Sequence, residues 1–353
     1  MLQGVYTSLS ALNANQRALD VTSHNIGNAE TEGYTKQRVN FTPNPTKDTP
    51  NASMTIHMGT GTHIQSVERV EDKFLYSRLN EAKRDFTRNK EQYNSLKEVD
   101  NTLQNSTFTD MYDMMFESLH RYTEMPHNME LQYLAEENAK ALTKKAEQMQ
   151  EVFNNVRAKN QEKMEALEKE LPDMRLNVEE LEKEIKVREA MNEHNTDKTY
   201  ANDLRDRRDL LQTQIEVKES SINGLNKSNE TLSNIQKLFK DSFDETYEAV
   251  QEYLDSPQSG SDANNLLAKE AEIRGNHKKP FVHLKDTTET SGFLMGSTEV
   301  IMQTLQNKDD NVSKVNLDEE MVNLMKYQKA YEANAKVMQT YDELLETTLG
   351  IKR

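Results

Sequence analysis

The chain has 353 residues, with 60 acidic against 44 basic side chains, a formal net charge of −16 at pH 7, and no cysteine. That balance excludes nucleic acid or an anionic membrane as a main partner, because phosphates would be repelled. The absence of thiols excludes a disulfide scaffold, a cysteine nucleophile and a cysteine zinc site. Only 35% of the residues are apolar and 29% are charged, so long helices with much surface are expected rather than one thick core.

The first element is a helix over residues 2–26, where Leu2, Val5, Leu9, Leu12, Leu19 and Ile26 fall on one three/four rhythm and Gly27–Asn28 forms a stop. Its opening, MLQGVYTSLSALNANQRALDV, has no basic region followed by a continuous apolar run, so a cleaved secretory signal is not expected. From Asn28 to about Ile64 the sequence is broken by Gly33, by Pro43, Pro45 and Pro50, and by Gly59 and Gly61. Gln37–Phe41 and Met54–Met58 alternate well enough for short strands, a small β ribbon near residues 36–67.

No glycine occurs between Gly61 and Gly224, and only Pro126 and Pro172 interrupt that tract, which therefore reads as helix with few breaks. Leu75, Leu79, Ala82, Phe86, Tyr93, Leu96 and Leu103 keep a heptad rhythm. A short helix capped at Thr109 or Asp110 ends before Pro126, and a longer one from Met129 carries Leu142, Met149, Phe153 and Val156, with a kink or break at Pro172. A polar gap at residues 192–203 precedes a helix with Leu204, Leu211 and Ile215. Beyond Gly224 the pattern predicts one or two helices, a loop at 256–262, and loop plus strand at 276–284. Ser297 is expected to cap a short helix through Leu305, with residues 307–314 as a linker.

The last segment, Val315–Arg353, opens on a capping signal at Asn316 with Glu319 three residues on, and acids fill its first turn. Leu317, Met321, Leu324, Tyr331, Ala335, Met338, Leu345 and Leu349 form its seam; Gln328 and Asp342 interrupt it, and Val337, Tyr341 and Leu344 widen it. Each terminal helix thus carries one apolar stripe that needs either the other stripe or a neighbouring subunit. An isolated helix with one stripe is marginal in water, so both ends are expected to fold by packing together in an assembly.

Signs of catalysis are missing. Gly59–Thr60–Gly61 lacks the third glycine of a dinucleotide turn and the GK[ST] of a phosphate loop. The eight histidines show no HExxH or other tight ligand pair, and no serine sits in a GxSxG context. Acid pairs such as Glu179/Glu180 read as solvated helix faces. No catalytic residue, cofactor or metal is therefore expected, and the chain does not read as an enzyme.

Ser8–Leu9–Ser10–Ala11–Leu12, Ser23–His24–Asn25–Ile26–Gly27–Asn28 and Thr31–Glu32–Gly33–Tyr34–Thr35 together resemble the N-terminal signature of bacterial flagellar rod, hook and hook-associated axial proteins. Asn25, Asn28, Gly33 and Tyr34 stand at the motif positions, and residues 315–353 resemble the C-terminal signature of the same family. Gly33–Gln37, Gly59–Gly61 through Phe74–Leu75, and Asn202–Leu211 are similar to segments of the hook-associated members. Those members generally carry a larger β-rich outer domain, so the middle of this chain reads as a reduced one.

The resemblance implies a mainly α protein of elongated helical-bundle type with paired terminal helices. Residues 1–30 with 316–353 would form a terminal coiled-coil assembly domain. Residues 31–223 with 286–315 would form the bundle with its β ribbon, and 224–285 the reduced outer insertion. It implies a structural subunit joining hook to filament, transiently cytoplasmic, exported by the flagellar type III apparatus, and then extracellular in the bacterial flagellum. The implied partners are the hook protein, the second junction protein, its own subunits in a ring, and an export chaperone on the C-terminal helix. The alternatives are another axial protein of the hook or rod, or a cytoplasmic coiled-coil adaptor that needs no export.

Overall fold

The computed structural model describes residues 2–45, 47–51, 54–104, 108–191, 201–255 and 260–350. It is mainly α, in the order α1 (Leu2–Gly27), β1 (Gln37–Pro43), β2 (Lys47–Asn51), β3 (Met54–Met58), β4 (Thr62–Arg69), α2 (Lys73–Gln104), α3 (Phe108–Glu124), α4 (Met129–Met191), α5 (Asn202–Asp255), α6 (Gly260–Ala268), α7 (Glu270–Ser313) and α8 (Leu317–Gly350). The chain forms two compact units: unit 1 comprises Met1–Asn80, Asp173–Ile215 and Thr304–Arg353, and unit 2 comprises Glu81–Pro172 and Glu216–Gln303. The boundaries between them fall inside α2, α4, α5 and α7.

In unit 1, β1 pairs antiparallel with β4, from Gln37 opposite Arg69 to Pro43 opposite Thr62, with an irregularity between Asn40 and Phe41. β2 pairs with β3, from Lys47 opposite Met58 to Asn51 opposite Met54. The buried residues Val39 and Val67 meet Ala18 of α1, and Val21, Ile64 and Tyr327 close over them. A second cluster joins Ile185, Ala201 and Leu204 with Leu181, where the start of α5 lies against the end of α4. The Arg205–Glu189 ion pair ties the same two segments.

Helix starts follow the expected chemistry. Asp72 accepts from the amides of Phe74 and Leu75 at 3.0 and 3.1 Å, and Asn128 accepts from Glu130 and Leu131 at 2.9 and 3.3 Å. α3 begins at Phe108, so Thr109 and Asp110 lie in its first turn rather than at its cap.

Unit 2 holds the larger core. Phe108, Tyr112, Phe116, Phe153, Phe239 and Tyr253 are all buried in one cluster drawn from α2 through α7. Ring pairs meet edge to face at 4.8 Å between Phe108 and Phe243 and at 4.8 Å between Phe239 and Phe281, the geometry favoured by aromatic quadrupoles. Ser95 donates to Asn160 at 3.1 Å and Asn160 to Asn229 at 2.8 Å, a polar chain across α2, α4 and α5.

Three local expectations are corrected here. Residues 276–284, read as loop and strand, lie inside α7. Ile273, His277, Pro280, Leu284, Thr288 and Ser291 bury one helical face there, and that packing outweighs the breakers Gly275, Asn276 and Pro280. Ser297 is mid-helix rather than a cap, its hydroxyl donating to the Phe293 carbonyl at 2.9 Å, and α7 extends through most of the expected linker to Ser313. Gly224 lies within α5, where a Cβ would come within 2.7 Å of the Arg88 carbonyl oxygen. The missing side chain lets the α2 backbone approach, so this glycine serves packing. At Pro172 the helix continues without a break through α4. The expected loop at 256–262 lies partly outside the described residues, which resume at Gly260 with α6.

Candidate functional site

α1 and α8 pack along one another within unit 1. Asn316 caps α8 as expected, its Oδ1 accepting from the amides of Asp318 and Glu319 at 3.0 and 3.3 Å. Near the far end Tyr341 lies over Gly4 so closely that a Cβ on Gly4 would stand 2.3 Å from the tyrosine oxygen. A side chain at position 4 would have to displace the Tyr341 ring.

The packed face of α1 is made of small and polar residues: Ser8, Ala14, Ala18, Thr22 and Asn25 are buried. The predicted stripe lies beside this face. Val5, Leu12, Leu19 and Ile26 are half-buried, while Leu9 is 42% exposed. On α8, Leu324, Ala335, Met338 and Leu345 are half-buried, whereas Leu317, Met321 and Tyr331 are 45%, 56% and 37% exposed. The side chains of Leu2 and Leu349 lie outside the described residues. On both helices part of the expected stripe is half-buried and part stays exposed. Ala18 meets Val39 and Val67 of the β ribbon and Asn25 meets Gln37, so this side of α1 faces β1 and β4.

The motif residues build a polar lock at the end of α1. Asn25 is 1% exposed; its Nδ2 donates to the Gln37 carbonyl at 2.8 Å, and its Oδ1 accepts from the Gln37 amide at 2.9 Å and the Tyr34 hydroxyl at 2.8 Å. One amide side chain thereby satisfies both backbone groups where β1 starts. Gly33 has φ of 77°, a backbone conformation that favours glycine, and a Cβ there would meet Leu210 at 3.2 Å, a tight contact. Asn28 donates its amide to the His24 carbonyl at 2.9 Å and accepts from the Thr31 hydroxyl at 3.2 Å, shaping the exit from α1.

Residues far away in sequence complete the lock. Asp203 accepts from Gln37 Nε2 at 3.2 Å and faces His24 Nε2 at 3.2 Å; Asp206 accepts from the Thr35 amide at 3.2 Å. Arg69 gathers three carboxylates: Glu71 at 2.6 Å, Asp209 at 2.8 Å, and Asp206 at 3.2 Å in a charge contact outside hydrogen-bond geometry. Tyr76 joins its hydroxyl to the Asp209 carbonyl and the Thr213 hydroxyl at 3.2 and 2.9 Å. The buried Glu320 of α8 lies against the Asn25 side chain.

The electrostatics follow from burying so many acids around one guanidinium. Burial pushes the Asp206 carboxyl up to about 6, against the pull of Arg69 and the Thr35 amide. Burial likewise raises Glu320, against its contact with Asn25. Burial first, then the nearby Asp203, Asp206 and Glu320, raise the Tyr34 phenol, which therefore stays a donor. Arg69 is raised overall: burial opposes its charge, but Asp206, Asp209 and Glu71 outweigh that.

Asn25, Gly33 and Tyr34 were legible as motif positions, whereas Arg69, Asp203, Asp206, Asp209 and Glu320 were missed as their partners. Separations such as the 171 residues between Thr35 and Asp206 leave no periodic signal. Among the described residues no group of three or more His, Asp or Glu could hold a metal ion, and no helix is long and apolar enough to cross a membrane.

Three segments of the chain match known families. The family described as flagella basal body rod protein matches residues 5–35, and that described as flagellar basal body rod FlgEFG protein C-terminal matches residues 310–351. The flagellar hook-associated protein FlgK helical domain matches residues 96–218. The lock takes residues from all three segments: Asn25, Gly33 and Tyr34 from the first, Glu320 from the second, and Asp203, Asp206 and Asp209 from the third. These three segments are thus similar to the flagellar rod, hook and hook-associated axial class.

Within that class the chain is similar to flagellar hook-associated protein 1. The protein of that name from Bacillus subtilis is 45% identical over 78 residues, 20% of this chain and 15% of the relative. The Escherichia coli protein is 36% identical over 66 residues, 19% of this chain and 12% of the relative. The Salmonella typhimurium protein is 44% identical over 52 residues, 15% and 9% of the two chains. The aligned stretches thus span only a small part of these relatives. No solved structure matches.

Proposed function

We propose that the chain is a structural subunit of the bacterial flagellum at the junction of hook and filament, exported through the flagellar type III apparatus and assembled through α1 and α8. The observation that carries this reading is the α1–α8 pair. It is closed by Tyr341 over Gly4, yet it leaves Tyr6, Leu9, Leu317, Met321, Val322 and Met325 exposed. Apolar side chains arrayed along a helix pair in this way suit a neighbouring subunit better than water. The partners in this reading are the hook protein, the second junction protein, further copies of the chain in a ring, and an export chaperone covering α8 before secretion. Covering the α8 stripe would prevent premature association. The terminal domain of residues 1–30 with 316–353 is the assembly part, and no enzymatic activity is assigned.

Deleting the protein from its host tests the reading. The expected result is cells with hooks but no filaments, with filament protein lost to the medium. Normal filaments on such cells would overturn the junction assignment. Cells lacking hooks as well would favour a rod or hook role, which the shared terminal segments equally suit.

A further inference from the structure

We propose that His277 is an acid-responsive element of unit 2, whose protonation forces its ring out of the aromatic stack and loosens α3 against α7. The ring is 3% exposed, and neither Nδ1 nor Nε2 has a hydrogen-bond partner. It lies flat on Tyr112, with centroids 4.4 Å apart at 11°, and 6.4 Å from Phe108. The Tyr112 hydroxyl is engaged with Thr246 of α5 at 2.9 Å and sits in a buried pair.

The charges around the ring give an imidazolium no welcome. On its own helix the nearby charged groups are Arg274 and Lys278, both cations. From α3 the facing titratable group is the neutral Tyr112, and α5 presents Thr246 beyond it. The acids close by are already taken: Arg274 pairs with Asp113 of α3 and with Glu270 at 2.7 Å. Burial, followed by Lys278 and Arg274, lowers the ring's proton affinity, and the backbone carbonyls of Ile273 and Arg274 only partly oppose this. Those carbonyls belong to the helix ladder. A cation stacked on Tyr112 would recover some attraction from the ring face, but it would remain desolvated between like charges.

Two other histidines have acidic neighbours: His24 faces Asp203 at 3.2 Å and His120 faces Glu270 at 2.9 Å. His277 is buried neutral. Its folded proton affinity is below that of the free side chain, so its contribution to stability is complete above the ordinary value of 6.5 and is lost as pH falls below it.

Hydrogen exchange of the full chain, read by mass spectrometry at about pH 7.5 and about pH 5.5 and corrected for intrinsic rates, tests this. Peptides from α3 and the first turns of α7 are expected to lose protection by up to about tenfold per pH unit below the free-histidine value. His277→Phe and His277→Gln are expected to abolish that loss. Unchanged protection in the wild type, or the same loss in both variants, would overturn the proposal. If neither variant folds, the ring itself is titrated by NMR in the histidine-labelled wild type. A midpoint below 6.5 supports the proposal, and one at or above it refutes it.

Discussion

In unit 2 one large apolar cluster dominates, with Phe239 touching Phe153 at 5.4 Å and Phe281 at 4.8 Å, and buried polar links such as Ser95–Asn160 run beside it. In unit 1 the largest buried cluster around α1 is only Ala18, Val39 and Val67, and the connections are made by Asn25, Gln37, Arg69 and the carboxylates of α5. Apolar area removed from water gives stability without fixing one geometry tightly, whereas a hydrogen-bonded lock fixes geometry at a desolvation cost. The comparison suggests a division of labour. Unit 2 supplies stability, and unit 1 holds α1, β1 and α8 in a set arrangement with apolar side chains left over on the flank.

The largest expected effect breaks the stable side. Phe239→Ala removes a ring 1% exposed and shared by several aromatic neighbours, and should cost about 3–5 kcal/mol in denaturant unfolding. Protection in unit 2 should fall most. Next comes the lock. Asn25→Ala strands the Gln37 amide and carbonyl and the Tyr34 hydroxyl, and at about 1–3 kcal/mol for each buried group left unpaired its loss should exceed that of any exposed α1 substitution. Hydrogen exchange should place that loss at β1 and the end of α1. If unit 2 lost protection equally, the two regions would not be separable as described.

Acid should move the two units in opposite directions. Asp206 is raised from 3.8 to about 6 on folding, so its burial is without ionisation penalty below the unfolded value, and stability falls as pH rises from about 4 toward 6. Asp206→Asn should flatten unit 1's response across that window, while unit 2 still loosens in acid through His277. A wild type whose unit 1 peptides weaken on acidification to about pH 5 would contradict this sign.

Much of this was legible in the sequence. The start of α8, the stop after α1, the strands from Gln37 and Met54, and the long helical tract all follow local rules that the chain obeys. Failures came where packing outweighed local preference. The packing role of Gly224 was hidden because nothing in the sequence shows the α2 backbone against it. Gly275, Asn276 and Pro280 hid a helical face that Ile273, His277 and Leu284 make worthwhile to bury. The seam of α1 was drawn through its largest apolar residues, and the buried Ala14 and Ala18 carry too little side chain to mark a stripe. In the lock, Asn25 and Gly33 were visible as motif positions, but their partners on α5 were not, since a hydrogen bond across such a span has no periodicity.

The smallest effect on the folded chain is expected from the flank, and it is the most informative. Leu9→Asp with Met321→Asp alters residues 42% and 56% exposed, so unfolding free energy should stay within about 0.5 kcal/mol per substitution. Complementing the deletion strain with this double variant and measuring its amount in flagella sheared from the cells tests the central claim directly. The account predicts a stably folded protein that is absent from sheared flagella. Incorporation at the wild-type level would show that these exposed apolar residues do not mediate assembly.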